Sequence, residues 1–349
     1  MFYIHQSTCI SAQQTFLSTD IYKLNESVGN KLQVVEPIYS DIPSNILRRM
    51  GKAVRIGVGA ALPLVKNTST DGIIIGTANG GMEDCIKFLN QIISYQEGML
   101  TPGNFVQSTP NSIASQVSLL SNNKGYNITH VHRGLAFENA VIDAGMLLRE
   151  HPANNYLLGG VDEISAYNHN IDFLAGWYKK EAFSSTDLYI TDSAGSIAGE
   201  GAAMFLVNGI KAASTARLQA ITILHTENTE TIRDQLKQFL NRELKAGETI
   251  DLFLTGENGD NRFRHYTETC EALLEPDVTV ARFKHLTGEF ATASAISLWL
   301  ACMILRTQQM PQHMIKRQPS NNKKYERILI YNNYKSVQHS FVLVERSDE

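Results

Sequence analysis

Two successive series of short, β-branched apolar runs constrain this chain more than any other feature. The first comprises residues 3–10, 72–76, 128–132, 156–160 and 202–207. The second comprises 218–225, 250–254, 278–283, 327–331 and 340–344. Gly, Asn or Asp bounds most of these runs, and stretches of helical period, such as 231–244 and 292–306, separate several of them. Runs of this length and composition read as strands, and alternation with helical segments reads as the α/β class. Five strands followed by five more predict an internal duplication, with residues 1–209 forming one half and 210–349 the other. No literal sequence repeat accompanies it, so the duplication rests on element order.

At 349 residues, 43% hydrophobic and 19% charged, the chain can bury one large core or two coupled ones. Its 31 basic and 35 acidic residues give a net charge of −4 and are scattered, which leaves no electrostatic footprint for a nucleic-acid backbone. The longest apolar stretch, 295–305, is too short to span a bilayer, and the opening Met1-Phe2-Tyr3-Ile4-His5 lacks the basic start of a signal peptide. A cytoplasmic protein is expected. Cys9, Cys85, Cys270 and Cys302 form no CxxC pair, so reduced thiols are expected rather than disulfides or a zinc knuckle.

Glycines cluster where strands are expected to feed turns: Gly76-Thr77-Ala78-Asn79-Gly80-Gly81, Gly159-Gly160, and Gly195 through Gly201. The first cluster lacks the Gly-Lys-Ser/Thr ending of a phosphate loop and the spacing of a dinucleotide fingerprint. No cofactor is expected. These clusters take their place in a longer ordered set: Arg48-Arg49-Met50-Gly51-Lys52, the Gly76–Gly81 turn with Met82-Glu83, Thr109-Pro110-Asn111-Ser112-Ile113-Ala114, Gly125-Tyr126-Asn127-Ile128-Thr129, Gly159-Gly160-Val161-Asp162-Glu163 and Gly199-Glu200-Gly201-Ala202. In that order they resemble the β-ketoacyl synthases of fatty-acid and polyketide assembly, over most of the chain. The resemblance implies a thiolase-like αβαβα five-layer sandwich of two similar halves, agreeing with the strand count. It also implies a dimer in which the strand near 127–132 pairs with its counterpart across a two-fold axis.

Carbon–carbon bond formation in that family needs a thiolate at a strand-to-helix turn and two histidines, with donors for the developing oxyanions. Here the matching turn reads Thr129-His130-Val131-His132-Arg133-Gly134-Leu135-Ala136-Phe137, which puts Gly134 at the cysteine position. No Cys, Ser or Lys lies between His130 and Phe137. The segment matching the first histidine, Leu254-Thr255-Gly256-Glu257-Asn258-Gly259-Asp260, offers Thr255 instead. The segment matching the second, Lys284-His285-Leu286-Thr287-Gly288-Glu289-Phe290-Ala291, keeps the family lysine as Lys284 and carries Glu289 in the histidine's place. A family gating loop rich in glycine corresponds to residues 331–339, which contain none, so a swinging loop would lose its hinge points.

His130 and His132 form an H-x-H pair that a strand would put on one face, enough for two metal ligands but with no third marked, and packing is the better reading. Glu289 beside Lys284 reads as an ion pair ahead of a general acid or base. Asp162 and Glu163 read as loop-bonding groups. His265 lies beyond Asp260, too displaced to replace a histidine, and Arg262 and Arg264 around it read as a solvated loop rather than a carrier-protein contact. Ile113, Leu119 and Leu120, on the helix before the edge strand, are candidates for tunnel, interface or core. Two functions follow. One is a non-catalytic subunit similar to a chain-length factor, pairing with an active ketosynthase or with itself, with acyl carrier protein as a further partner through the family. The other is a thioester decarboxylase, hydrolase or acyltransferase using Glu289, His132 or Thr255.

Overall fold

The computed structural model describes residues 1–18, 20–319 and 324–347. Ten principal strands follow the expected order. In the first half these are β1 (Phe2–Ile10), β2 (Gly72–Gly76), β3 (Tyr126–His130), β4 (Tyr156–Asp162) and β5 (Gly201–Asn208). In the second they are β6 (Ala216–His225), β7 (Leu252–Thr255), β8 (Thr279–Arg282), β9 (Arg327–Tyr334) and β10 (Gln338–Arg346). The spatial order is β1-β5-β4-β2-β3 in one five-strand unit and β6-β10-β9-β7-β8 in the other. The sense of pairing also matches. The first, fifth and fourth strands of each unit are antiparallel neighbours, while the fourth, second and third are parallel. Pairing of Phe2, Tyr3 and Ile4 with Leu218, Arg217 and Ala216 joins the units into one continuous sheet. A short strand, Ile315–Arg317, extends its outer end beside β8, and Lys31–Leu32 pairs with Ala198–Gly199 apart from it.

Seven helices matter for the layers: α1 (Lys52–Val65), α2 (Met82–Ser94), α3 (Ser112–Ser121), α4 (Ala136–Glu150), α5 (Thr229–Glu243), α6 (Arg264–Glu271) and α7 (Ala293–Thr307). One apolar cluster unites α1 and α3 with the outer face of the first sheet unit. Another unites α5 and α6 with the outer face of the second. Between the units lie α4 and α7, whose side chains join residues of both in the largest cluster. The result is helix, sheet, helix, sheet, helix. The apolar run at 295–305 is α7, buried from Ala293 through Leu305 because sheets cover it on two sides.

The glycine pair at 159–160 lies within β4 rather than at its end. A Cβ on Gly160 would stand 2.6 Å from Ala295 Cβ of α7, and one on Gly159 would stand 2.1 Å from Met204 Sδ. These residues are small so that the central helices and the neighbouring strand can approach. The expected strand at 128–132 begins and ends two residues earlier, at 126–130, because the chain breaks into an elbow with Arg133 at φ 49°. Residues 264–271 are helix α6, with Asn261–Phe263 a 3-10 turn before it, where a solvated loop was expected.

Candidate functional site

The elbow after β3 is where the fold brings a chain end of the first unit against a hairpin of the second. Gly134 sits just ahead of α4, and its N–H donates to Gln338 Oε1 at 2.8 Å. A Cβ on Gly134 would meet Tyr334 Cβ, Cγ and Cδ1 at 2.3, 2.4 and 2.6 Å. The Tyr334 side chain therefore occupies the space that any larger residue at 134 would need. Tyr334 is 8% exposed, and burial pushes its phenol well above the usual tyrosine range, so it remains neutral.

The segment expected to be a glycine-free loop is a β-hairpin, with Tyr334 paired to Gln338 around Lys335, Ser336 and Val337. Lys335 and Ser336 adopt φ 51° and 64°, the left-handed geometry that glycine would take at no cost. Side-chain bonds hold this turn in place. Lys335 Nζ reaches Asp172 Oδ1 at 2.5 Å and lies over the Trp177 and Tyr334 rings. His339, wholly buried, donates from Nε2 to the Ser336 and Thr226 carbonyls, so its Nδ1 accepts from the Tyr331 hydroxyl. Burial pushes the His339 imidazole down to about 4, which keeps that neutral tautomer.

Lys284 and Glu289 come together as a buried ion pair, Nζ to Oε1 2.7 Å, with Lys284 0% exposed. The other carboxylate oxygen of Glu289 accepts from Asn258 Nδ2 at 2.8 Å. Both charges are thus compensated. Glu289 and Tyr334 line one small cavity with Trp177, Tyr178 and Asn258, of about 10 Å³, roughly the room for one water. Thr255 is buried at the end of β7, but its Oγ1 accepts from Glu257 N within its own turn. His132 is exposed and its Nδ1 bonds Asn139 Nδ2, whereas His130 pairs with Asp143 at 3.0 Å. The strand ends at His130, so the two rings do not share a strand face. His265 packs on Tyr266, and Arg262 is held by Asp260 at 2.5 Å, with its guanidinium over Trp177 and Phe263.

Asp162 accepts from Thr77 Oγ1, the N–H groups of Ala78 and Asn79, and both N and Oγ1 of Thr292. It ties the first glycine turn to the start of α7. Glu163 caps α1 through Ala53 N at 3.0 Å, and burial pushes its carboxyl up to about 7. Ile113 is buried in the outer core, whereas Leu119, on the same helix, is 75% exposed and Leu120 is half-buried against that core.

Residues 25–171 match the family profile "Beta-ketoacyl synthase, N-terminal domain". The chain has the thiolase-like fold of the ketosynthases. Solved structures of the same fold include a β-ketoacyl synthase from Burkholderia phymatum STM815, at 13% identity and TM-score 0.78 with 99% of each chain covered. The ishigamide ketosynthase/chain length factor is 17% identical with TM-score 0.75, again covering 99% of each. A ketosynthase in complex with its chain length factor from Xenorhabdus doucetiae is 13% identical with TM-score 0.76, covering 99% of this chain and 98% of that one. No curated protein sequence matches.

Three further side chains meet at this centre. Tyr334 and Gln338 carried no signal beyond their place in the altered loop. Glu138 lies one helical turn after Gly134, a spacing that could have flagged it. It is 1% exposed, its Oε1 accepts from Ser340 Oγ at 2.9 Å, and its Oε2 has no partner. Burial pushes its carboxyl up to about 7. Among the described residues, no group of three or more His, Cys, Asp or Glu side chains is placed to hold a metal, and no helix is long and apolar enough to cross a membrane.

Proposed function

We propose that this chain is a non-catalytic, chain-length-factor-type subunit that pairs with an active ketosynthase in fatty-acid, polyketide or aryl-polyene assembly. The observation that carries the reading is the Tyr334 ring standing where a nucleophile on residue 134 would project. In this reading Gly134, Thr255 and Glu289 stand at the positions of the family's Cys-His-His, and Lys284 is the retained lysine, neutralised by Glu289. A thiolate, an acyl chain or a malonyl group has no room beside Tyr334 in a cavity of about 10 Å³.

The outer surface supports pairing. β3 is the last strand of the sheet, with an unpaired edge. The elements near it in the chain expose Leu89, Ile93, Phe105, Val106, Leu119 and Val131, each at least half exposed. Phe88 and Phe105 pack ring to ring at 5.3 Å, so the apolar face spans α2 and the helix Pro102–Gln107. An apolar surface of this kind beside a free strand edge fits a stable partner. Similar structures include a ketosynthase with its chain length factor, and one with an acyl-carrier protein, which extends the proposal to a carrier that docks on the pair.

The decarboxylase, hydrolase or acyltransferase reading is the less favoured one, because Glu289 is paired with Lys284, His132 is exposed and Thr255 Oγ1 accepts within its own turn. The test is purification from the native host with the stoichiometry of bound proteins measured, alongside turnover of malonyl thioester by the isolated chain. Equimolar recovery of a synthase retaining Cys-His-His, with no turnover by this chain alone, is expected. Recovery alone with thioester turnover would overturn the proposal.

A further inference from the structure

Where the two sheet units part, the fold leaves a crevice that lies away from the Gly134–Tyr334 centre. β1 pairs with β6 only through residues 2–4, and its pairing with β5 shifts register between Ile4 and Gln6. The chain before β6 turns away, with Ser214 N donating to the Lys211 carbonyl, so no strand lies beside residues 5–8 on that side. A cavity of ≈ 520 Å³ opens there, within the range of small-molecule sites. Its apolar wall is Leu64 at the end of α1 with Trp299 and Met303 of α7, all nearly buried.

Arg306 lines the cavity three residues beyond Met303 on the same helix face. It also lines an adjoining cavity of ≈ 890 Å³ with Lys211 and Arg346. Among the described residues, no Asp or Glu lines either cavity. Arg306, Gln6 and Ser7 have no side-chain hydrogen-bond or ion-pair partner among the described residues. Leu17 also lines the cavity, 75% exposed and held at φ 51°. A guanidinium with its fork free, two uncommitted polar side chains and an apolar wall in one cavity match an amphiphile with an anionic head.

We propose that this crevice binds an organic carboxylate of medium chain length, with the carboxylate on Arg306 and the hydrocarbon against Leu64, Trp299 and Met303. Gln6 and Ser7 supply further hydrogen bonds to the head group, and Leu17 covers the apolar body. The site shares no lining residue with the small cavity at Tyr334, so it stands or falls independently of the subunit role.

The two tryptophans, Trp177 and Trp299, lie one at each place, which gives the test. In a Trp177→Phe variant of the full chain, decanoate is titrated while Trp299 emission is followed. Saturable change is expected, weakened about tenfold or more in Arg306→Gln, as loss of a charge-assisted pair implies. Decanol should bind similarly weakly to the Arg306-containing protein. Absence of a Trp299 response, unchanged affinity in Arg306→Gln, equal binding of decanol, or equal affinity for inorganic phosphate would each overturn the proposal. Arg306 is exposed, so its substitution leaves the fold intact, and circular dichroism checks that.

Discussion

The centre at Gly134 and the surface around β3 treat apolar and aromatic side chains in opposite ways. At the centre, Tyr334 is folded inward and leaves a cavity of about 10 Å³, room for roughly one water. At the sheet edge, Ile93 and Leu119 stand 77% and 75% exposed. A chain that worked alone would be expected to keep its interior open to substrate and its surface polar. Here the hairpin closes the interior by local bonds, whereas the edge leaves apolar area exposed. Under the proposed subunit role, that area is what a partner would bury.

The largest expected effect breaks the outer side of that comparison. Ile93→Asp together with Leu119→Asp should abolish association, read as a shift to monomer in light scattering, with the thermal midpoint of the monomer itself little changed. Retention of the complex would show that this face is not the interface. On the inner side, Glu289→Ala leaves Lys284 buried without its counter-charge and should cost about 3–5 kcal/mol in denaturant unfolding. The pair Lys284→Met with Glu289→Leu should recover most of that loss.

Gly134→Cys sharpens the same point. A side chain there collides with Tyr334, so the variant should lose about 1–3 kcal/mol and gain no condensing activity. Recovery of stability in Gly134→Cys with Tyr334→Ala, again without activity, would tie the loss to that collision.

Glu138 provides a pH test of similar size. Its folded pKa, about 7, lies above the ordinary glutamate value of 4.5, so the native state holds the proton more tightly than the unfolded chain. Stability from this group is therefore greatest below about pH 4.5 and is lost as pH rises through 7. Glu138→Gln should flatten that decline, by about 2–3 kcal/mol between pH 5 and 8. His339 acts in the opposite sense. Its folded pKa of about 4 lies below 6.5, so its contribution is lost as pH falls from about 6.5 toward 4, and the hairpin should loosen first in acid, visible as amide exchange at Ser336 and Gln338. The smallest effect belongs to the turn itself. Ser336→Gly relieves the left-handed strain and should shift stability by less than about 1 kcal/mol.

Much of this architecture was legible because strand and helix periodicities are local. All ten principal strands appear where β-branched runs predict them, and 229–243 and 293–307 are helical as their patterns imply. The ends were less legible. β3 stops at His130 because the elbow at Arg133 is imposed by packing of α4 against β2, where the Gly76 position would place a Cβ 2.6 Å from the Ala136 carbonyl. Gly159 and Gly160 read as turn residues because a sequence records the absence of a side chain but not the helix that passes over it.

The sequence by itself determined the duplicated strand order and the absence of Cys, Ser or Lys between His130 and Phe137, since both are statements about residue type along the chain. Only the tertiary structure decided what packs against Gly134. Tyr334 lies 200 residues from Gly134, and it reaches the elbow because β9 and β10 close in a tight hairpin beside α4. Contacts of that separation follow from packing between the two units, which no local pattern encodes.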